Sequence, residues 1–175
     1  IDFFHRERML EVEADDERTK YHSMKASLPF IVPDSADVHV NSVVDSGAAR
    51  CALRFEYMKR KLPHLVEQMQ PSGLRFRDAS KNRMSLRGKV PISLRVGAIT
   101  VQATAYVFDD LGADFLLGNN AMKANGMRID FSSDRLYARG DDTGVAAESV
   151  HCPKCEQIAC VTESDDHWSH AGCCG

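Results

Sequence analysis

The pattern of hydrophobic and polar positions along the chain changes at about residue 23. Residues 1–22 are rich in charge and lack a sustained apolar stripe, which is typical of a solvated arm or a loose helix. From there to about residue 139, short runs of apolar and β-branched residues alternate with turn signals, and such runs predict strands. The predicted strands are Met24–Val32, Val38–Val44, Leu74–Phe76, Met84–Val90, Ile92–Val96, Ile99–Val107 and a final pair within Met127–Tyr137.

Two segments favour helix instead. Residues 51–70 are rich in helix formers, and Pro63 divides them. In the segment 119–126, Asn119 stands where a helix cap belongs and Gly126 where a helix ends. The sequence therefore predicts a mainly β domain with one or two short helices.

The same pattern predicts how the chain is divided. We expect a charged arm at 1–22, the β domain at 23–139, a small and polar linker at 140–150, and a tail rich in Cys and His at 151–175. The length of 175 residues suits one compact domain with flanking segments.

Composition excludes some classes of function. The chain has 43% hydrophobic and 27% charged residues, which is ordinary for a globular protein. A formal net charge of −3 argues against a large nucleic-acid interface, so we expect nucleic-acid binding, if any, only through the tail. The sequence holds no apolar run long enough to span a membrane, and its first residues lack the layout of a secretory signal.

The six cysteines are unevenly placed. Cys51 stands alone in the body of the chain, and the other five lie between Cys152 and Cys174. A secreted domain held by disulfides would spread its cysteines through the core. We therefore expect a reduced intracellular domain, cytoplasmic in location, with a Cys-rich tail.

The tail itself allows three interpretations. The tight turn Cys152-Pro153-Lys154-Cys155 is of the kind that zinc sites use. Further soft ligands are Cys160, His167, His170, Cys173 and Cys174. Their spacing matches no common zinc finger, so a zinc site, an unstructured linker and redox chemistry all remain open.

A motif that could take part in a chemical reaction lies at the end of the second predicted strand. In Val43-Val44-Asp45-Ser46-Gly47-Ala48, a carboxylate directly follows an apolar strand end. Burial among apolar neighbours raises the pKa of such a carboxyl unless its charge is stabilised. Ser46 can fix the loop by a hydrogen bond, and Gly47 permits a tight turn and a close approach. Asp-Ser-Gly alone is equally typical of an ordinary turn.

A second motif favours a functional site over an ordinary turn. Leu116-Leu117-Gly118 follows some seventy residues later and leads into the short predicted helix. With both motifs in this order, residues 24–137 resemble the retropepsin-like family of retroviral, retrotransposon and related eukaryotic aspartic proteases. That family has an apolar strand ending in Asp-Thr/Ser-Gly-Ala, and a later apolar-apolar-Gly before its single helix.

The resemblance implies a fold, a site and a reaction. The fold would be a closed β-barrel of the acid-protease type with one short C-terminal helix, forming half of a homodimeric enzyme. Asp45 would be catalytic, with one carboxyl from each subunit, and the loop residues Ser46, Gly47 and Ala48 would support it. A hairpin flap would close over an extended polypeptide substrate with Ala79, Ser80, Lys81 and Asn82. No cofactor is implied for catalysis, and processing of a retroelement polyprotein is the implied role.

The sequence departs from the family at two positions. Many viral members have an Asp and an Arg that can pair where this chain has Ala49 and Asn119. Because both partners are absent together, we expect a different support for the dimer. An alternative function is a catalytically inactive dimerisation or peptide-binding module, and a further alternative is a zinc-binding tail that contacts nucleic acid.

The remaining candidate residues have simpler interpretations. We expect Asp109, Asp110 and Asp114 to form a solvated loop rather than a metal site. Cys51 is expected to be a buried thiol rather than a nucleophile, and Asp78 a solvated charge on the hairpin.

Overall fold

The computed structural model describes residues 23–78 and 81–149, together with the pairs 160–161 and 168–169. The predicted arm at 1–22, most of the tail at 151–175 and the two flap residues Ala79 and Ser80 lie outside the described residues. The zinc hypothesis for the tail therefore stays a prediction.

The described chain is mainly β. Its strands are β1 (Ser23–Phe30), β2 (Val38–Asp45), β3 (Cys51–Arg54), β4 (Leu86–Val96), β5 (Ile99–Phe108), β6 (Phe115–Leu117), β7 (Arg128–Asp130), β8 (Arg135–Tyr137), β9 (Val145–Ser149), β10 (Cys160–Val161) and β11 (Trp168–Ser169). The helices are α1 (Phe55–Lys61) and α2 (Asn119–Ala124), and a 3₁₀ helix covers Pro63–Gln68. Strands β10 and β11 form a separate antiparallel pair.

Six strands close into a barrel. They follow the order β2-β6-β3-β5-β4-β1, and β1 pairs along its whole length with β2 to complete the ring. Strands β9, β8 and β7 continue the sheet outward from β1. The predicted mainly β, closed-barrel fold is confirmed, with α2 as the short helix expected near its C-terminal end and α1 in addition.

Alternating burial along β4 places its side chains on two faces. Val90, Ile92, Leu94 and Val96 point into the core, because side chains of a strand alternate between the faces of a sheet. The prediction of two strands separated at Pro91 is wrong, since β4 runs through it. Pro91 is exposed, and β1 pairs with β4 only through Phe30 and Leu94, so the missing N–H of Pro91 breaks no ladder on that side.

Two other predicted elements differ from the structure. Residues 51–54 form β3 rather than the start of a helix, because they pair in parallel with β5 and antiparallel with β6. The segment 74–76 is not a strand. Near it the only ladder contacts between described residues are isolated bridges, Gln70 with Lys89 and Arg77 with Arg83.

The sheet continues past the boundary predicted at residue 139. Within the segment predicted as a linker, β9 pairs with both β1 and β8, and Ala147 is buried. The preceding turn buries Asp141, whose carboxylate accepts hydrogen bonds from the N–H groups of Thr143 at 3.0 Å and Gly144 at 2.9 Å. The small and polar residues that resembled a linker therefore form a turn and an added strand.

The buried side chains form two clusters. The larger fills the barrel, where the ring of Phe30 meets that of Phe115 edge-on at 4.9 Å between centroids. The smaller, called the flap-base cluster below, consists of Ala48, Ala52, Phe76, Met84, Tyr106 and Phe108.

Among the helices of the described chain, none has the length and hydropathy needed to cross a membrane.

Candidate active site

Asp45 is the last residue of β2, where the strand leaves the barrel. β2 lies between β1 and β6, with Val44 opposite Met24 on one side and Leu117 on the other. Beyond it the chain turns at once: the N–H of Gly47 donates to Asp45 Oδ1 at 2.9 Å, and the N–H of Ala48 donates to the Asp45 carbonyl oxygen at 3.2 Å. The carboxylate is therefore fixed by its own loop.

Burial raises the pKa of the Asp45 carboxyl above its usual value, while the N–H groups of Gly47 and Ala48 partly oppose that shift. A carboxyl whose pKa is raised in this way can hold or release a proton nearer to neutral pH than an exposed aspartate can.

Strand β6 lies between β2 and β3. It runs parallel to β2 and antiparallel to β3, so its end at Leu117 brings Gly118 beside the loop that follows Asp45. A Cβ atom at Gly118 would lie 2.3 Å from the carbonyl oxygen of Arg50. The glycine of the Leu116-Leu117-Gly118 motif is therefore required by the close approach of two backbones, and not by an unusual backbone angle.

Two asparagines after Gly118 hold the loop that follows Asp45. The N–H of Asn119 donates to the carbonyl of Ala48 at 2.6 Å, and its side-chain amide donates to the carbonyl of Ser46 at 3.3 Å. The Oδ1 atom of Asn120 accepts a hydrogen bond from the N–H of Cys51 at 2.9 Å. Asn119 thus supports the loop within the chain, at the position where many viral members have an arginine.

The sequence predicted Asn119 as a helix cap and as the position of a missing arginine, and it did not single out Asn120. The cap prediction is wrong, because Gly118 is the N-cap residue and Asn119 is the first residue of α2. An available signal was the adjacent pair of amide side chains directly after the glycine. An asparagine offers both donors and an acceptor, which suits it to join backbone groups of a neighbouring loop.

The loop residues themselves differ in exposure. Ser46 is exposed, and Gly47 and Ala48 are buried. Ala48 packs in the flap-base cluster with Phe76 and Met84. The loop is consequently packed against the base of the segment in which the flap is expected.

That segment forms a hairpin. The N–H of Met84 donates to the carbonyl of Phe76 at 3.0 Å, and the N–H of Asp78 donates to the carbonyl of Asn82 at 2.8 Å near the tip. Asp78 Oδ1 also accepts from the N–H of Asn82 at 2.8 Å, so this carboxylate holds the turn. Lys81 and Asn82 are exposed at the tip, and Lys81 adopts a positive φ of 69°.

Cys51 is fully buried, as predicted, and burial raises the pKa of its thiol to about 11. Its Sγ atom accepts a hydrogen bond from the N–H of Gly118 at 3.4 Å. A thiol that stays protonated at neutral pH is a poor nucleophile, so the structure gives Cys51 a packing role beside the loop.

The acidic group before β6 is engaged by neighbouring residues. Asp114 forms an ion pair with Arg54, Asp109 one with Arg87 at 2.8 Å, and Asp110 accepts from the N–H of Ser85. Within the described part of the chain, no three His, Cys, Asp or Glu side chains are grouped so as to hold a metal ion.

A second tripeptide of the same type occurs at Asp142-Thr143-Gly144, which the sequence reasoning did not weigh. Asp142 is exposed in the turn between β8 and β9, and no apolar strand end precedes it. The tripeptide belongs to the turn that encloses Asp141, and it does not supply a second carboxyl of the Asp45 kind.

Of the comparisons with known proteins, the one with solved structures bears on the fold. No protein-family model and no curated protein matches the sequence. Among solved structures, the chain is similar to the retroviral protease-like domain of Ddi1 from Leishmania major, with a TM-score of 0.55 and 20% identity over 70% of this chain and 93% of that one. A retropepsin-like aspartic protease from Rickettsia conorii also matches, with a TM-score of 0.37 and 18% identity over 63% of this chain and 90% of that one. The likeness to the Leishmania major domain, together with the six-stranded barrel, shows that this chain has the retropepsin-like fold.

Proposed function

We propose that this chain is an aspartic endopeptidase whose active site forms between two copies, each contributing Asp45. The observation that carries the proposal is the Asp45 carboxyl, held by the N–H of Gly47 at the end of β2 with a pKa raised by burial. The chain has one such Asp-Ser-Gly loop. A dyad therefore requires a second subunit, related to the first by a two-fold axis.

The two Asp45 carboxyls would share one proton and hold a water molecule between them. Like charges at hydrogen-bond distance do not both ionise readily, so one carboxyl stays protonated while the other is ionised. The ionised carboxyl accepts a proton as the water attacks the scissile carbonyl carbon, and the protonated one donates to the carbonyl oxygen. This chemistry uses no cofactor.

The surrounding loop and hairpin have supporting roles in this proposal. The Ser46–Ala48 loop keeps each carboxyl in place, through the support that Asn119 gives to its carbonyl groups. The hairpin tip with Lys81 and Asn82 closes over an extended polypeptide and donates backbone hydrogen bonds to it. A retroelement polyprotein that carries the domain itself is the substrate we propose.

Replacement of the carboxyl tests the chemistry. Asp45→Asn should lower cleavage of an unstructured protein substrate by about 10³-fold or more, because both proton transfers lose a partner. Asp34→Asn makes the same chemical change at an exposed turn and serves as the matched control. Cleavage that survives Asp45→Asn would exclude Asp45 as catalyst, and a wild-type chain that binds peptides without cleaving them would favour the inactive peptide-binding alternative.

A mixing experiment tests the shared site. When a roughly tenfold excess of Asp45→Asn chains is exchanged with wild-type chains, most wild-type chains pair with a variant, so activity should fall by about tenfold. An equal excess of a chain that carries both Asp45→Asn and a substitution that prevents pairing should leave the activity unchanged. Activity that is indifferent to the Asp45→Asn excess would show that each chain acts alone.

A further inference from the structure

The described part of the flap hairpin is strongly basic. Arg75, Arg77, Lys81 and Arg83 are all exposed, and no ion pair between described residues involves them. The one acidic side chain in this described part, Asp78, is occupied by the N–H of Asn82. Because the whole chain has a formal net charge of −3, this positive surface is a local feature and not a general property of the protein.

A pocket of about 300 Å³ opens at the base of the hairpin. It is lined by Ser72, Gly73, Leu74, Arg75, Phe76, Arg83, Met84 and Leu86. Two of its guanidinium groups, those of Arg75 and Arg83, belong to exposed side chains, while Phe76 and Met84 are buried. The pocket therefore has apolar residues in its lining beside two cations that no carboxylate of the described chain neutralises.

Packing connects this pocket with the active-site loop. Phe76 and Met84 share the flap-base cluster with Ala48, which lies three residues after Asp45. Phe76 also packs on Tyr106 at 5.1 Å between ring centroids, and the guanidinium of Arg50 lies 5.8 Å from the Tyr106 ring. A further cation thus lies against the flap-base cluster.

We infer that this pocket is a specificity site for peptides with a glutamate side chain. The methylene groups of a glutamate can contact the apolar lining residues, and its carboxylate reaches Arg75 and Arg83, whose planar donor groups suit a carboxylate. The inference rests on the proposed protease function, since it assigns the substrate class of that same site. The apolar lining residues favour a peptide side chain over the phosphate backbone of a nucleic acid, which offers no aliphatic stem.

The test compares matched peptides and matched variants. An extended peptide with glutamates on both sides of the cleavage site is compared with the same peptide carrying glutamine. Wild type should prefer the glutamate peptide by about 10- to 100-fold in kcat/KM, the range expected for hydrogen bonds to a charged group. In Arg75→Gln/Arg83→Gln the preference for the glutamate peptide over the glutamine peptide should vanish.

Two further variants sharpen the result. Lys61→Gln/Arg128→Gln removes two exposed cations away from the hairpin, and it should keep the full preference for glutamate. Arg75→Glu/Arg83→Glu should reverse the preference in favour of the same peptide with lysine. Retention of the glutamate preference in the Arg75→Gln/Arg83→Gln variant would overturn the inference.

Binding separates this inference from the proposed function. The glutamate and glutamine peptides, carrying a fluorophore, are titrated into Asp45→Asn chains, which retain the pocket without the catalytic carboxyl. Tighter binding of the glutamate peptide, lost with Arg75→Gln/Arg83→Gln, supports the inference even if wild type cleaves neither peptide. Cleavage of both peptides at equal rates, or binding of an RNA oligonucleotide by the two arginines without any preference among peptides, would overturn it.

Discussion

Three aspartates of this chain show how burial and nearby hydrogen-bond donors together set the pKa of a carboxyl. Side-chain and backbone hydrogen bonds from Ser132 lower the pKa of Asp130. At Asp141 burial acts to raise the pKa, but the N–H groups of Thr143, Gly144 and Ala98 together lower it. At Asp45 burial outweighs the donors of its own loop, so its pKa is raised. The pKa of Asp45, the carboxyl proposed for catalysis, is thus shifted in the opposite direction from the pKa values of Asp130 and Asp141.

This direction predicts how Asp45→Asn changes stability with pH. A carboxyl with a raised folded-state pKa stabilises the fold fully below its unfolded pKa of about 3.9, and that stability is lost as pH rises through the folded pKa. Asparagine does not ionise, and its Oδ1 can still accept from Gly47. Asp45→Asn should therefore melt at a higher temperature than wild type at pH 7, and the difference should disappear below about pH 4.

Thermal unfolding followed by circular dichroism across this pH range measures the difference. Asp34→Asn is the control, because Asp34 is exposed in the turn between β1 and β2. An Asp45→Asn variant that is less stable than wild type at neutral pH would contradict burial as the dominant influence on the pKa of Asp45.

At the scale of elements, the turn from β6 into α2 organises the site. Gly118 allows the backbone of Arg50 to approach, and the asparagines that follow it bind the loop between β2 and β3 and the first residue of β3. Three short elements therefore meet at one turn, and the support for Asp45 comes from residues some seventy positions away.

Gly118→Ala should disturb this meeting point. The new Cβ atom would fall 2.3 Å from the Arg50 carbonyl oxygen, so the backbones must separate, at a cost of about 1–3 kcal/mol in the free energy of unfolding. Gly73→Ala is a matched control, since a Cβ atom there meets nothing within 4 Å. Urea unfolding of both variants measures the difference, and equal stabilities would show that the contact is not restrictive.

Asn120→Ala should weaken the same turn by removing an acceptor. The N–H of Cys51, at the start of the buried strand β3, would lose its partner, which costs about 1–3 kcal/mol. Asn120→Asp keeps the Oδ1 acceptor and should lose less of the free energy of unfolding. If the two variants are equally stable in urea, the hydrogen bond to Cys51 is not the stabilising one.

Local sequence patterns predicted some of these elements and missed others. The long strands β1, β2 and β5 carry enough alternating apolar residues to be found in sequence, and the Asp-Ser-Gly loop could be identified from its strand end. β3 could not, because four residues next to a helix that starts at Phe55 become a strand only by pairing with β5 and β6. The role of Asn120 was equally hidden, since its partner lies on another element.

At the scale of the whole molecule, closure of the barrel depends on contacts that no local pattern encodes. β1 and β2 are neighbours in sequence, but β6 enters the ring from far along the chain. Phe115 of β6 meets Phe30 of β1 across the interior, and both rings are buried. The core therefore links the first strand of the barrel to its last.

Phe115→Ala should test that link. Loss of a fully buried aromatic ring costs about 3–5 kcal/mol, through lost transfer free energy and the cavity that remains. Phe131→Ala removes the same ring at a site where 55% of the residue is exposed, and it should cost much less. Chemical denaturation measures both, and similar losses would show that the Phe30–Phe115 contact is not central to the core.

The pairing of β1 with β9 has a consequence for how this domain can be carried in a longer polypeptide. Because Met24 lies opposite Ser149 and the strands are antiparallel, the beginning and the end of the sheet are adjacent, about 5 Å apart in the pairing direction. The domain could therefore be inserted into a loop of a longer polypeptide without stretching that loop. Joining residue 149 to residue 23 through a short linker would also permit circular permutation, with new termini placed in the exposed turn at Pro33–Ser35.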